Sequence, residues 1–96
     1  MDNELFLDIC RLEVVGHFNY YLRAENLVDY RKIGVEDVFI VWSCKTLQNN
    51  KALLSTRVND GRYYEITYNG DKDECYIDVY KKEDNIKIEK MKERGF

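Results

Sequence analysis

The apolar pattern of this chain changes period once, near Val35, and that change limits what the chain can fold into. Before it, Phe6, Cys10, Val14, Phe18 and Tyr21 recur at spacings of three and four, which stacks them on one face of a helix. After it, apolar and polar residues alternate in twos, the spacing of strands. With 96 residues there is room for one core shared by both parts. The expected fold class is α+β: an N-terminal helix packed on a four-stranded antiparallel meander sheet, with a short C-terminal extension. Residues 1–96 are expected to form a single domain, because no proline, repeat or low-complexity stretch marks a boundary.

The helix is predicted over residues 4–23. Asp2 or Asn3 can cap it, and Glu4 suits the positive end of its dipole. Ile9 and His17 flank the stripe. Gly16 either weakens the helix or permits close packing. Residues 24–34 read as a polar connector with room for a short helical turn, stopped by Gly34. The sheet is predicted over residues 35–80, with strands at Val38–Trp42, Ala52–Val58, Tyr63–Tyr68 and Cys75–Tyr80. Turns fall at Gln48–Lys51, Asn59–Gly61 and Asn69–Lys72.

A three-residue Asn59-Asp60-Gly61 loop with Gly61 left-handed pairs Thr56 with Tyr64 and Leu54 with Ile66, apolar opposite apolar. The inner face then carries Ile40, Trp42, Leu54, Val58, Tyr64, Ile66, Cys75, Ile77 and Val79, with Trp42 central. Its removal would cost on the order of 3–5 kcal/mol there. Residues 84–96 read as a flexible tail or a short helix capped by Asp84. Ile86 and Ile88 alternate as in a strand, whereas Ile88 and Met91 fit a helix.

Composition excludes some functions. The formal charge of −3 opposes nucleic-acid binding, which draws on cationic side chains. It is too small for a DNA mimic. The N-terminus has no basic segment leading into an apolar run, and no apolar run is long enough to span a bilayer. The three cysteines, Cys10, Cys44 and Cys75, are odd in number and far apart, as expected for free buried thiols in a reducing cytosol.

Chemical motifs are absent. Cys44 and His17 lie on different elements, so a thiol nucleophile lacks a base in evident reach. The cysteines show none of the close ligand pairs of zinc sites. Asp71, Asp73 and Glu74 lack the spacing of a calcium loop. The five glycines do not cluster into a phosphate loop. No catalytic residue, metal site or cofactor is therefore expected.

The outer face of the sheet is the expected binding surface. Arg57, Tyr63, Glu65, Tyr76, Asp78 and Tyr80 alternate away from the core, with Ser55 and Thr67 among them. Eight tyrosines in the chain is a high count, and Tyr and Arg dominate contact energetics. The same tyrosines also stabilise a sheet by stacking across strands. Strand one is apolar on both sides, with Phe39 and Val41 opposite Val38, Ile40 and Trp42. Such an edge calls for cover by the connector, the tail or another chain, including a second copy paired through strand one as a homodimer.

The segments VFIVWSCKTLQNNKALLST (38–56), DGRYYEITYNGDK (60–72) and YIDVYKK (76–82), with FLDIC…VV…FNYY (6–21), resemble a family of short proteins of unknown function. These are encoded by phages and prophages of low-GC Gram-positive bacteria. The part beyond Ile88 departs from that pattern. The resemblance implies a phage accessory protein in the cytoplasm of a bacterial host cell. It further implies a non-enzymatic role: binding and modulating a host or defence-system protein, such as a CRISPR nuclease.

Glu65 and Asp78 favour a basic, nucleic-acid-handling protein as that partner. The alternative is a small nucleic-acid-binding module, which would use the strand aromatics and the basic residues Lys81, Lys82, Lys87, Lys90, Lys92 and Arg94. A small enzyme ranks third.

Overall fold

The computed structural model describes residues 1–24 and 31–94. Helix α1 spans Asn3–Ala24, and four strands follow: β1 Val38–Thr46, β2 Asn49–Thr56, β3 Arg62–Asn69 and β4 Glu74–Lys81. They form one antiparallel sheet in the order β1-β2-β3-β4, the predicted meander. Two short 3-10 turns, Val35–Asp37 and Met91–Arg94, flank it. The predicted helical turn in the connector falls mostly on residues outside those described.

The helix packs as its sequence dictates. Phe6, Cys10, Val14 and Phe18 are buried against Val38, Ala52, Leu54, Tyr64 and Ile66. Each fully buried aliphatic or aromatic side chain contributes about 1.5–3 kcal/mol. Asn19 ties the helix to the chain entering the sheet: its amide donates to the Ile33 carbonyl at 3.1 Å and its oxygen accepts from Ile33 N–H at 3.0 Å. Gly16 is solvent-exposed, and nothing lies within 4 Å of where its Cβ would sit, so close packing is not its role.

β1, β3 and β4 are longer than predicted, and the first and third connections are shorter. Thr46 pairs with Asn49, leaving only Leu47 and Gln48 in the first turn. Leu47 adopts a φ of 55°, a left-handed conformation costly for a side chain with a Cβ. Asn50, predicted in this turn, is buried in β2. Its amide donates to Met1 O at 3.5 Å and Asn3 Oδ1 at 3.4 Å, anchoring the helix start. Gly70 N–H donates to Gln48 O at 2.9 Å, where a Cβ would collide with that carbonyl.

The second connection is longer than predicted. Leu54 pairs with Tyr64 and Ala52 with Ile66, two residues from the expected register. Residues 57–61 form the loop. Thr56 Oγ1 accepts from Val58 N–H at 3.2 Å and Asp60 Oδ1 accepts from Arg62 N–H at 3.1 Å. Such local side-chain bonds compete with the ladder. Gly61 is left-handed as expected, with φ 73°. A shift of two preserves which side chains share a face, so the core assignment survives it.

One assignment fails. The pairing of β1 with β2 slips between Ile40 and Trp42, leaving Val41 as the extra residue of a bulge. Ile40 pairs with Leu54, but Trp42 pairs with Leu53, so Trp42 turns to the outer face and is 41% exposed. The bulge inserts a residue and inverts the alternation beyond it. Cys75 and Val79 stay on the helix side of β4 by alternation, but both are exposed. The helix lies over β1 and β2, with its flank reaching β3, and of β4 only Ile77 packs, partly buried, against the core. Of the thiols expected to be buried, only Cys10 is.

Candidate functional site

Three cross-strand rows carry the predicted residues of the outer face, and a fourth, Thr46–Asn49–Asn69–Glu74, closes its turn end. One row runs Phe39–Ser55–Tyr63–Tyr80, the next Trp42–Leu53–Glu65–Asp78, and the third Cys44–Lys51–Thr67–Tyr76. Side chains opposite one another in such rows lie about 4.5–5.5 Å apart at Cβ and interact directly. Tyr63, Glu65, Tyr76, Asp78, Tyr80 and Phe39 thus share one surface. Val41 borders it as the bulged residue. Arg57 lies beyond the end of β2, where its N–H donates to Asp37 O at 2.9 Å, so it sits at the corner of the face rather than in a row.

Phe39, Val41, Trp42, Tyr76 and Tyr80 are all substantially exposed, and no other described element packs on them. Ser55 is the buried exception, its hydroxyl donating to Arg62 O at 2.7 Å. Tyr76 donates to Glu74 Oε2 at 2.9 Å, which holds its phenol protonated and raises its pKa.

Charge on this face is uneven. Glu65 and Asp78 stand directly opposite each other, an unfavourable like-charge pair. Lys51 offsets one of them, with Nζ 3.5 Å from Glu65 Oε1. Asp78 has no ion-pair partner among the described residues. The turn end of the sheet holds a cleft of about 290 Å³ at the strand ends, whose lining includes Thr46, Asn49, Asn50, Thr67, Tyr68 and Asn69. That volume is at the small end for ligand sites.

Sequence reasoning missed Trp42 and Leu53 here. Leu53 was legible, since it alternates with buried Ala52 and Leu54. Trp42 was not, because nothing in VFIVW marks a bulge.

On the opposite side of the sheet, the described residues do not bring the suspected thiol and imidazole together. His17 packs its ring edge-on against Tyr64 with centroids 5.7 Å apart. Cys44 is on the outer face, so the sheet itself separates the two members of the suspected thiol–imidazole pair. Burial pushes the Cys10 thiol up to about 12, and burial also raises Cys75, with Glu13 adding to it, so neither thiol is activated.

His17 Nδ1 and the Tyr64 hydroxyl are buried, with no hydrogen-bond partner among the described residues. Burial raises the Tyr64 phenol pKa, opposed by Arg62, which approaches it without meeting strict hydrogen-bond geometry and lies over the Tyr21 ring at 3.5 Å. Among the described residues no group of three or more His, Cys, Asp and Glu converges. None of the described helices is long and apolar enough to cross a membrane.

No curated protein and no solved structure matches the chain. A family model does, over residues 7–90, covering the helix from Leu7, all four strands and the first part of the tail. The chain belongs to that family, described as a family of unknown function, DUF6275.

Proposed function

We propose that this protein is a non-enzymatic binding module whose outer sheet face docks a partner protein with basic character. The observation that carries this reading is the aromatic, uncovered face around the Glu65–Asp78 pair. Aromatic anchors supply hot-spot energy when desolvated, about 2 kcal/mol or more each. An acidic pair that repels itself in the free protein is relieved by an incoming cationic side chain. On the resemblance to phage-encoded proteins, the partner is a host or defence-system protein. A nuclease or other nucleic-acid-handling protein meets the charge requirement.

The competing reading is a single-stranded nucleic acid stacked on Tyr63, Tyr76 and Tyr80. The carboxylates in the middle of the face repel phosphates, which weighs against it.

The test uses affinity capture from host lysate with the wild type, Tyr63→Ala, Tyr76→Ala and Trp42→Ala, each first checked for native circular dichroism. The partner should be retained by the wild type and lost from at least two variants. Equal capture by all four, or a salt-sensitive shift with RNA alone, would overturn the proposal.

A further inference from the structure

Residues 82–90 follow β4 and pair with no strand among the described residues. Lys87 Nζ lies 3.1 Å from Glu89 Oε1. Ile86 and Ile88 alternate with that pair, the spacing that puts them on one side of a strand, and they are 74% and 55% exposed. The segment ends at Lys90, which takes a left-handed φ of 56°. The family match runs through residue 90, so this exposed apolar stretch is part of the domain.

An acceptor for it exists. Among the described residues the two edges of the sheet are unpaired, and they differ. The β1 edge carries the bulge at Val41, a device that spoils edge pairing. The β4 edge is regular, with unbroken register against β3 from Glu74 to Lys81. On its helix side β4 presents Ile77, partly buried at the margin of the core, flanked by Cys75 and Val79, which are exposed. A strand placed there with Ile86 and Ile88 inward would extend that margin. The same placement puts Lys87 on the outer side, beside the unpaired Asp78.

The chain's own tail is poorly built to reach its own β4. Each of the three hairpin connections contains a residue at positive φ: Leu47, Gly61 and Asp73. Tight two-residue returns depend on such residues. Between Lys82 and Glu89 there is none, and none of these residues pairs back onto β4.

We infer that two copies of this chain exchange tails, with Ile86–Glu89 of each adding as a fifth strand to the β4 edge of the other. The exchange is reciprocal, so it closes into a two-fold dimer and stops there. It leaves most of the outer face free, and it does not depend on the binding role proposed for that face.

Crosslinking tests it directly. Ile86→Cys and Ile88→Cys, each in a Cys44→Ser background, are oxidised with diamide. The exposed Cys75 on the acceptor edge then captures the incoming tail. A reducible band of twice the chain mass is expected from at least one variant, absent when Cys75 is also changed to Ser and absent for Lys87→Cys. An intramolecular disulfide at single-chain mass, or no disulfide at all, would overturn the inference.

Sedimentation equilibrium supplies the second reading. The wild type should show twice the monomer mass. Ile86→Asp with Ile88→Asp should halve it without changing circular dichroism, since both positions are exposed. A wild-type monomer throughout, or a dimer indifferent to those changes, counts against tail exchange. Tyr63→Ala should leave the mass unaltered, which separates this outcome from failure of the outer-face proposal.

Discussion

The two faces of the sheet use similar residues for opposite ends. On the inner face, Tyr64 is fully buried beneath the helix. On the outer face, Tyr63 and Tyr80 pair across strands with no helix above them. Adjacent residues of one strand, Tyr63 and Tyr64, thus have different roles, and only the position of α1 distinguishes them. Aromatic content therefore says little about function. What matters is whether another element of the same chain lies over it.

The largest expected effect tests whether the inner face carries the stability. Leu54 has no exposed surface, so Leu54→Ala should cost about 2–5 kcal/mol, read from urea unfolding. A loss below about 1 kcal/mol would mean that the helix is not the cover it is drawn to be. The outer face should respond less. Trp42 is 41% exposed, and Trp42→Ala should cost about 1.5 kcal/mol of stability while abolishing partner capture. A loss as large as that for Leu54 would return Trp42 to the core and remove the bulge.

The third test uses pH. The Cys10 thiol titrates at about 12 in the fold against 9.0 when free, because burial disfavours its anion. The unfolded chain therefore releases this proton first. Stability should be intact below about pH 9 and fall as pH rises toward 12, by at most about 1.4 kcal/mol per pH unit from this group. Cys10→Ala should be flatter between pH 9 and 10, before the tyrosines contribute. An identical slope would place Cys10 in contact with water.

The smallest effect concerns neither face but the turn joining β1 to β2. Leu47 is 86% exposed at a positive φ, so Leu47→Gly should relieve strain and stabilise by about 0.5 kcal/mol. A destabilised variant would show that the leucine makes a contact worth more than the strain.

Elements whose signal repeats along several residues were legible in the sequence. The helix stripe Phe6-Cys10-Val14-Phe18 and the alternation in β2 to β4 placed the fold and most of the outer face. Events confined to one residue were not. Asn50 has the composition of a turn and is buried because the helix start needs an anchor, a tertiary demand invisible locally. The loop at 57–61 was lengthened by Thr56 and Asp60 bonding to the backbone, which the Asp-Gly pair alone does not announce. Trp42 was misplaced for the same kind of reason, since the extra residue at Val41 carries no side-chain signature. The free β4 edge was unreadable because nothing in the sequence says where the helix stops covering the sheet.

The bulge at Val41 means that the character of β1 is stored in its register rather than in its composition. Were Val41 paired with Leu53 instead, every later side chain of the strand would exchange sides: Trp42 would go under the helix, and Ser43 and Lys45 would come to the surface in place of Trp42 and Cys44. Deleting Val41 would keep Trp42 opposite Leu53 and only straighten the edge. The same amino acids thus present an aromatic or a polar edge according to whether one residue is looped out or paired.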